Sequence, residues 1–180
     1  MPSVSAGLLL YRWGGAPETD GRRLEVLLVH PGGPYWAKKD AGAWSIPKGE
    51  AEADELGPAP PTVTAAKARN RAADVDLLAV AQREVKEETG LEPKGPYQPL
   101  GGVKAHHHKL IYAWAVEYDC DPAAIVSNAF AIEWPPRSGR RAEFPEVDRA
   151  AWFGLVAARE AILPAQRRFI DDLEIVAGRV

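Results

Sequence analysis

The chain has 180 residues, a formal net charge of −3 and a hydrophobic content of 46%. This length supports one well-buried core and is short for two, so we predict a single globular domain over residues 1–180. The slight negative charge excludes the basic field that sustains nonspecific binding to DNA or RNA, so a polymeric nucleic acid is not expected as a substrate.

The cysteine content and the amino terminus bear on the compartment. The chain has one cysteine, Cys120, which excludes an internal disulfide and agrees with a reducing cytoplasm. The amino terminus has no basic segment, and its apolar run is too short to span a bilayer. We therefore expect a cytoplasmic protein that is neither exported nor inserted in a membrane.

The first two predicted elements are strands. Residues 4–12 and 24–30 are apolar runs, and the segment between them contains the Pro, Asp and Gly that are typical of a turn. The second run is apolar almost throughout, which indicates a central strand covered on both faces.

A loop over residues 35–43 follows, and it holds Trp36 and Lys39. An aromatic ring beside a lysine can form a wall for base stacking and phosphate binding, so both are candidate substrate-binding residues. The alternative is an exposed loop that carries these side chains for no such purpose. Residues 44–50 then read as a short extended segment that runs into a turn.

Residues 56–75 differ abruptly in composition, because prolines open the segment and basic residues dominate its second half. We interpret this segment as a surface excursion. Asp76 is a suitable N-cap for a helix that Gly90 ends. The buried face of this helix is predicted to carry Leu78, Ala81 and Val85.

Three carboxylates stand near the end of this helix. Glu84, Glu87 and Glu88 are spaced i, i+3 and i+4, so their oxygens lie on one narrow stripe. Like charges at this spacing repel, which indicates a cation between them. Mg²⁺ prefers oxygen ligands and is commonly held by carboxylates and substrate phosphates. The alternative is an ordinary solvated charged face.

The second half of the chain alternates strands and turns before two helices. The predicted strands cover residues 97–104, 109–118 and 128–134 and a short stretch around Trp152, and the helices cover 155–162 and 164–177.

His106 to His108 lie between the first two of these strands. Adjacent residues of an extended chain point to opposite sides, so the spacing is poor for one metal ion and favours a loop or substrate-edge role. Arg137 lies in a rigid basic turn over residues 135–141, and its guanidinium is either a phosphate ligand or simply solvated.

Gly49, Glu55 and residues 83–91 together resemble the signature of the Nudix hydrolase family, G-x5-E-x7-R-E-U-x-E-E-x-G-U, in which U is aliphatic. Gly49 and Glu55 match the first part, and residues 83–91 match the whole second part. The family places seven residues between the first Glu and the Arg, whereas 27 lie between Glu55 and Arg83. We assign the 20 additional residues to an insertion at 56–75, the segment whose composition already differs.

The resemblance implies an α/β fold, an α/β/α sandwich with a central mixed β-sheet, and a hydrolase acting on phosphoric anhydride bonds. It also implies a bound Mg²⁺ or Mn²⁺ and attack by water on phosphorus in a diphosphate linked to another group. Its implied metal ligands are Glu84, Glu87, Glu88 and the Gly49 carbonyl oxygen. Arg83 would pair with Glu55 and orient the loop. The candidates for the general base are Glu87, Glu143 and Glu146.

Residues 44–49 resemble the W-x-[IL]-P-K-G segment of the dinucleoside polyphosphate branch, in which Lys48 would face a phosphate or be a solvated turn residue. We expect a small nucleotide substrate, a dinucleoside polyphosphate or a nucleoside triphosphate. An oxidised-nucleotide sanitising enzyme is the nearest rival, and nucleotide sugars and diphosphoinositol phosphates remain open. A noncatalytic nucleotide sensor is a further alternative, although the box carboxylates are all present. An oligomer remains open but is not indicated, and the segment 56–75 would serve either as a lid over the phosphates or as an oligomer contact.

Overall fold

The computed structural model describes residues 3–15, 21, 23–52, 55–56 and 76–178. Within them, the strands are β1 Val4–Gly14, β2 Arg23–Pro31, β3 Lys48–Glu50, β4 Gln98–Lys104, β5 Leu110–Glu117, β6 Ala129–Glu133, β7 Arg141–Pro145 and β8 Val147–Gly154. The α-helices are α1 Leu77–Thr89, α2 Leu155–Ala161 and α3 Arg167–Ala177. Short 3₁₀ turns occupy His106–His108, Pro122–Ala124 and Pro164–Gln166.

The central sheet is mixed. Its strand order is β4-β5-β1-β2-β8, and β3 pairs with β1 at one end. Strands β1 and β5 run parallel, whereas the other pairings are antiparallel. Strands β6 and β7 form a separate two-stranded ribbon.

Helices cover both faces of the sheet because β1 is apolar on both sides. The even-numbered residues Val4, Ala6, Leu8 and Leu10 pack in one cluster with the apolar stripe of α1. On the other face, Leu9 packs in a cluster with residues of α2 and α3 such as Phe169 and Leu173. Burial of a side chain of this size contributes about 1.5 to 3 kcal/mol. The predicted α/β/α sandwich with a central mixed sheet is therefore confirmed.

The elements agree with the sequence predictions at most positions, and two differences have a physical reason. Strand β7 was not predicted, because its exposed sequence Arg-Ala-Glu-Phe-Pro has charges that resemble a turn. Among the described residues it pairs with β6 alone, so it needs no buried face. The final helix begins with a 3₁₀ turn at Pro164–Gln166 before regular α-helix at Arg167.

The buried stripe of α1 is formed by Leu77, Val80, Ala81 and Val85, while Leu78 is only partly buried. No helix among the described residues is long and apolar enough to cross a membrane. The predicted insertion at 56–75 lies outside the described residues except for Leu56, which packs against the α1 side of the sheet.

Candidate metal and substrate site

Helix α1 is held at both ends by local hydrogen bonds. The Asp76 carboxylate accepts from the Ala79 amide at 3.1 Å, which satisfies one of the free amides of the first turn. Gly90 adopts φ 73°, the left-handed conformation that glycine takes without strain, and its amide donates to the Lys86 carbonyl at 2.8 Å. The last two turns of the helix, which carry the acidic residues, therefore have a defined orientation.

Helix α1 packs against β3, so two of its carboxylates meet the backbone of that short strand. The Glu84 carboxylate lies against Gly49 so closely that a Cβ atom at Gly49 would overlap it. The Lys48 amide donates to Glu88 Oε2 at 2.8 Å. Because Glu84 and Glu88 are one helical turn apart, they contact successive residues of β3. The predicted residues Lys48, Gly49, Glu84 and Glu88 are thus brought together.

Arg83 joins the remaining carboxylates. Its guanidinium donates to both oxygens of Glu55, at 2.9 and 3.3 Å, which gives the predicted pair a two-pronged geometry. The Nη1 atom of Arg83 also lies 2.8 Å from Glu84 and 3.4 Å from Glu87. One guanidinium therefore partly neutralises three carboxylates, and it ties Glu55 to helix α1.

Burial raises the pKa of the two inner carboxyl groups. The pKa of Glu88 is raised to about 7, chiefly by desolvation; Lys48 opposes this rise, and the charges of Glu84 and Glu146 contribute to it. Desolvation also raises the pKa of Glu84, although the Arg83 guanidinium opposes it. Both groups lie where a negative charge is costly without a nearby cation.

The two basic groups respond to the same surroundings. Burial lowers the pKa of Lys48, while the Glu88 charge opposes the shift and the Lys109 charge adds to it. Burial alone would lower the pKa of Arg83, but its hydrogen bond to Glu55 and the nearby carboxylates raise it overall. Lys48 therefore gives up its proton more readily than an exposed lysine, whereas Arg83 holds its proton more firmly than an exposed arginine. Both side chains lie beside the carboxylates.

The donor set fits a hard divalent cation. The carboxylates and the adjacent backbone carbonyl offer the oxygen ligands that Mg²⁺ and Mn²⁺ prefer. The partly buried acids Glu84 and Glu88 have raised pKa values that a metal charge would offset. Among the described residues, no three His, Cys, Asp or Glu side chains are already arranged to ligate one ion. Glu84 and Glu87 contact Arg83 instead, so they would have to turn toward the cation.

The other predicted substrate residues lie on separate segments. The Lys39 ammonium stands 4.6 Å from the centre of the Trp36 ring, so these two side chains form one unit on the loop after β2. Arg137 occupies the exposed turn between β6 and β7 with φ 64°. No hydrogen bond or ion pair in the described part of the chain joins these three residues to the α1 carboxylates. Glu146 is closer, because its charge influences Glu88.

The His106–His108 turn is exposed, and His107 and His108 both have positive φ values of 58° and 60°. Adjacent Lys109 contacts Glu50 at 3.3 Å, which places this turn beside β3. The geometry agrees with the predicted connection between two strands.

Gln166 supports the segment that leads into the site, and the sequence analysis did not identify it. Its buried side-chain oxygen accepts from the Ile46 amide at 3.0 Å, and its amide nitrogen donates to Ser45 Oγ at 3.0 Å. These bonds hold the segment that leads into Lys48 and Gly49. The residue is 120 positions from Ile46 in the chain, and no local pattern could have indicated the contact.

Comparisons with known proteins give information on the fold. No protein-family model matches the sequence, and no curated protein matches it. Solved structures do match: a Caenorhabditis elegans Ap4A hydrolase in a binary complex has a TM-score of 0.56 and 17% identity, with 98% of this chain and 99% of that chain covered.

Two further structures are similar at the same level. The Nudix domain of Shewanella oneidensis NrtR, complexed with ADP ribose, has a TM-score of 0.55 and 14% identity and covers 98% of this chain and 89% of that chain. A MutT/Nudix family protein from Listeria innocua has a TM-score of 0.55 and 13% identity, with coverages of 99% and 96%. At these identities the likeness is one of fold. The chain therefore has the Nudix fold, as its signature residues predict.

Proposed function

We propose that this protein is a metal-dependent pyrophosphohydrolase that cleaves a diphosphate linkage in a nucleotide-type substrate by attack of water at phosphorus. The observation that supports this proposal is the meeting of Glu84 and Glu88 with Gly49 and Lys48, braced by the Arg83–Glu55 pair. A sequence selected only for stability would separate such buried like charges.

In the proposed site, Glu84, Glu87, Glu88 and the Gly49 carbonyl oxygen hold Mg²⁺ or Mn²⁺. Such an ion would supply positive charge beside the substrate phosphates and would activate the attacking water as a Lewis acid. Gly49 contributes space as well as its carbonyl, because any larger residue would displace the Glu84 carboxylate. The two-pronged Arg83–Glu55 pair fixes the turn that follows β3. Lys48, partly buried beside Glu88, would hold a substrate phosphate.

Glu87, Glu143 and Glu146 remain the candidates for the general base. Glu87 is 48% exposed at its side chain, so it can reach solvent water. The charge of Glu146 acts on Glu88, which favours Glu146 over Glu143 on the exposed strand β7. The Glu146→Gln and Glu143→Gln variants separate these two, since loss of a general base typically lowers kcat by about 100-fold or more.

The substrate we propose is a dinucleoside polyphosphate or a nucleoside triphosphate. The 44–49 segment supports the former, and the fold shared with an Ap4A hydrolase agrees with it. An oxidised nucleoside triphosphate is the alternative. We propose that Trp36 and Lys39 contact the nucleotide from the loop after β2, and that Arg137 reaches phosphate from the β6–β7 turn. Neither a membrane nor a nucleic-acid polymer is part of this proposal.

A substrate panel tests the proposal. Wild-type protein, Glu87→Gln and the matched control Glu160→Gln, which alters an exposed acid of α2, are incubated with Mg²⁺ or Mn²⁺. The panel contains diadenosine tetraphosphate, oxidised and ordinary nucleoside triphosphates, ADP-ribose and a nucleotide sugar, and products are separated by chromatography. We expect one class to be cleaved, with kcat lowered at least about 100-fold in Glu87→Gln only. Nucleotide binding without cleavage by the wild type would instead favour the noncatalytic sensor.

A further inference from the structure

His30, at the carboxyl end of β2, is completely buried, yet both of its ring nitrogens meet oxygen acceptors. Nδ1 lies 2.7 Å from Oδ1 of Asp148, and Nε2 lies 2.8 Å from the carbonyl oxygen of Lys39. A carbonyl oxygen only accepts hydrogen bonds, so Nε2 carries a proton. These two bonds connect the loop after β2 to the start of β8.

The second nitrogen also has to donate. An ionised carboxylate only accepts, so Nδ1 of His30 carries a proton as well and the ring is an imidazolium. A protonated Asp148 could instead donate to an unprotonated Nδ1, and this arrangement would also satisfy both ring nitrogens. However, its side chain is 29% exposed and lies 3.6 Å from the Arg149 guanidinium, and both conditions favour the ionised form. His30 and Asp148 therefore form an ion pair in which the cation, His30, is completely buried.

A β-bulge directs Asp148 toward His30. In the β2–β8 pairing, His30 lies opposite Arg149 and Pro31 lies opposite Val147, so Asp148 is an extra residue without a partner. Bulges of this kind change the direction of a side chain and are frequent beside active sites.

Trp44 and charged side chains lie near this pair. Asp148 contacts the ring directly, and the edge of the Trp44 ring lies at a centroid distance of 5.2 Å. Asp40 accepts from the Trp44 indole at 2.9 Å and lies 3.8 Å from Arg149.

We propose that His30 is a positioning residue: its proton-dependent bonds to Asp148 and the Lys39 carbonyl, here called the latch, fasten the substrate-binding loop to β8. The Lys39 ammonium stands over the Trp36 ring, and Glu146 stands two residues before Asp148. The latch therefore fixes Trp36 and Lys39, which we propose to contact the nucleotide, relative to Glu146 just before β8. This inference rests on the proposed function, because that function assigns Trp36 and Lys39 to the substrate.

The latch needs both ring protons. A neutral ring would keep its one proton at Nδ1, because the ionised Asp148 is the stronger acceptor, and the Nε2 lone pair would then face the Lys39 carbonyl oxygen at 2.8 Å. The resulting repulsion releases the loop, so KM increases while kcat changes little. In Asp148→Asn, the side-chain amide donates to Nδ1 of a neutral ring. The latch then closes without the extra proton, so KM stays near the wild-type value.

The first test uses no substrate. The full chain with ¹⁵N-labelled histidine is studied by NMR, and the ring nitrogens of His30 are assigned by their loss in His30→Gln. We expect both nitrogens to be protonated at neutral pH in the wild type and one in Asp148→Asn. A neutral wild-type ring overturns the proposal, whether or not the protein is an enzyme.

The second test uses the panel nucleotide that is cleaved fastest. We expect KM to rise about tenfold in His30→Phe and His30→Gln, with kcat within about threefold of wild type, since tenfold corresponds to loss of roughly one good hydrogen bond. KM should stay near the wild-type value in Asp148→Asn, whose amide still completes both bonds of the ring. It should also stay near that value in Asp119→Asn, which alters an exposed ion pair with Arg12.

These outcomes separate the two proposals. An unchanged KM in both His30 variants, or a KM of Asp148→Asn raised as far as that of His30→Phe, overturns the latch. If His30→Phe fails to fold, His30→Gln decides, because glutamine keeps a polar side chain but lacks the two ring nitrogens that join Asp148 to the Lys39 carbonyl. If nothing in the panel is cleaved, the proposed function fails, and the NMR result alone still accepts or rejects the proton-dependent bonds.

Discussion

Replacing Glu88 with glutamine tests the electrostatics of the carboxylate cluster without changing the number of heavy atoms. The folded protein raises the pKa of Glu88 from an ordinary 4.5 to about 7, chiefly because the group is desolvated. The folded state therefore keeps a proton that the unfolded chain has already lost. Folding takes up this proton between these two values, so the free energy of unfolding falls as the pH rises through that window.

The size of the effect follows from the shift. One pKa unit corresponds to about 1.4 kcal/mol, so ionised Glu88 lowers the stability of the metal-free protein by about 3 kcal/mol above pH 7. Glutamine at position 88 carries no charge and can still accept from the Lys48 amide. We therefore expect Glu88→Gln to be about 3 kcal/mol more stable than the wild type at about pH 8, and nearly equal to it below about pH 4.5.

The assay is urea unfolding in EDTA across this pH range, followed by circular dichroism, with Glu160→Gln as the control for an exposed acid. Added Mg²⁺ should raise the stability of the wild type more than that of the variant, because the proposed ion binds the folded state through Glu88. A variant that is no more stable than the wild type at high pH in EDTA would refute the reasoning.

Three other predictions concern the same site. Gly49→Ala places a methyl group where the Glu84 carboxylate now lies, so we expect kcat to fall about 100-fold while circular dichroism shows a retained fold; near-normal turnover would contradict this. Gln166→Leu leaves the buried Ile46 amide without its acceptor and should lower the free energy of unfolding by about 1 to 3 kcal/mol in urea; an unchanged midpoint would show that the bond is dispensable. Dialysis against EDTA should abolish hydrolysis and Mg²⁺ or Mn²⁺ should restore it, whereas activity that survives EDTA would exclude the proposed metal.

The sequence by itself determined the features that depend on local spacing. The apolar runs predicted β1 and β2, and the N-cap and glycine stop predicted α1. The acids of α1 share a stripe because the helical period is 3.6 residues, a property of any helix in which they stand. The Arg83–Glu55 pair was predicted through the family pattern although 27 residues separate the two in the chain, and the structure contains it.

Only the tertiary structure decided the contacts between residues that are distant in the chain. Strand β7 has no apolar pattern because its single partner is β6, and its existence depends on that pairing. The contact between Gln166 and Ile46 spans 120 positions, and that between His30 and Asp148 spans 118. The first depends on where α3 packs and the second on a bulge in β8. Such contacts arise from the packing of whole elements, so the spacing of residues along the chain does not encode them locally.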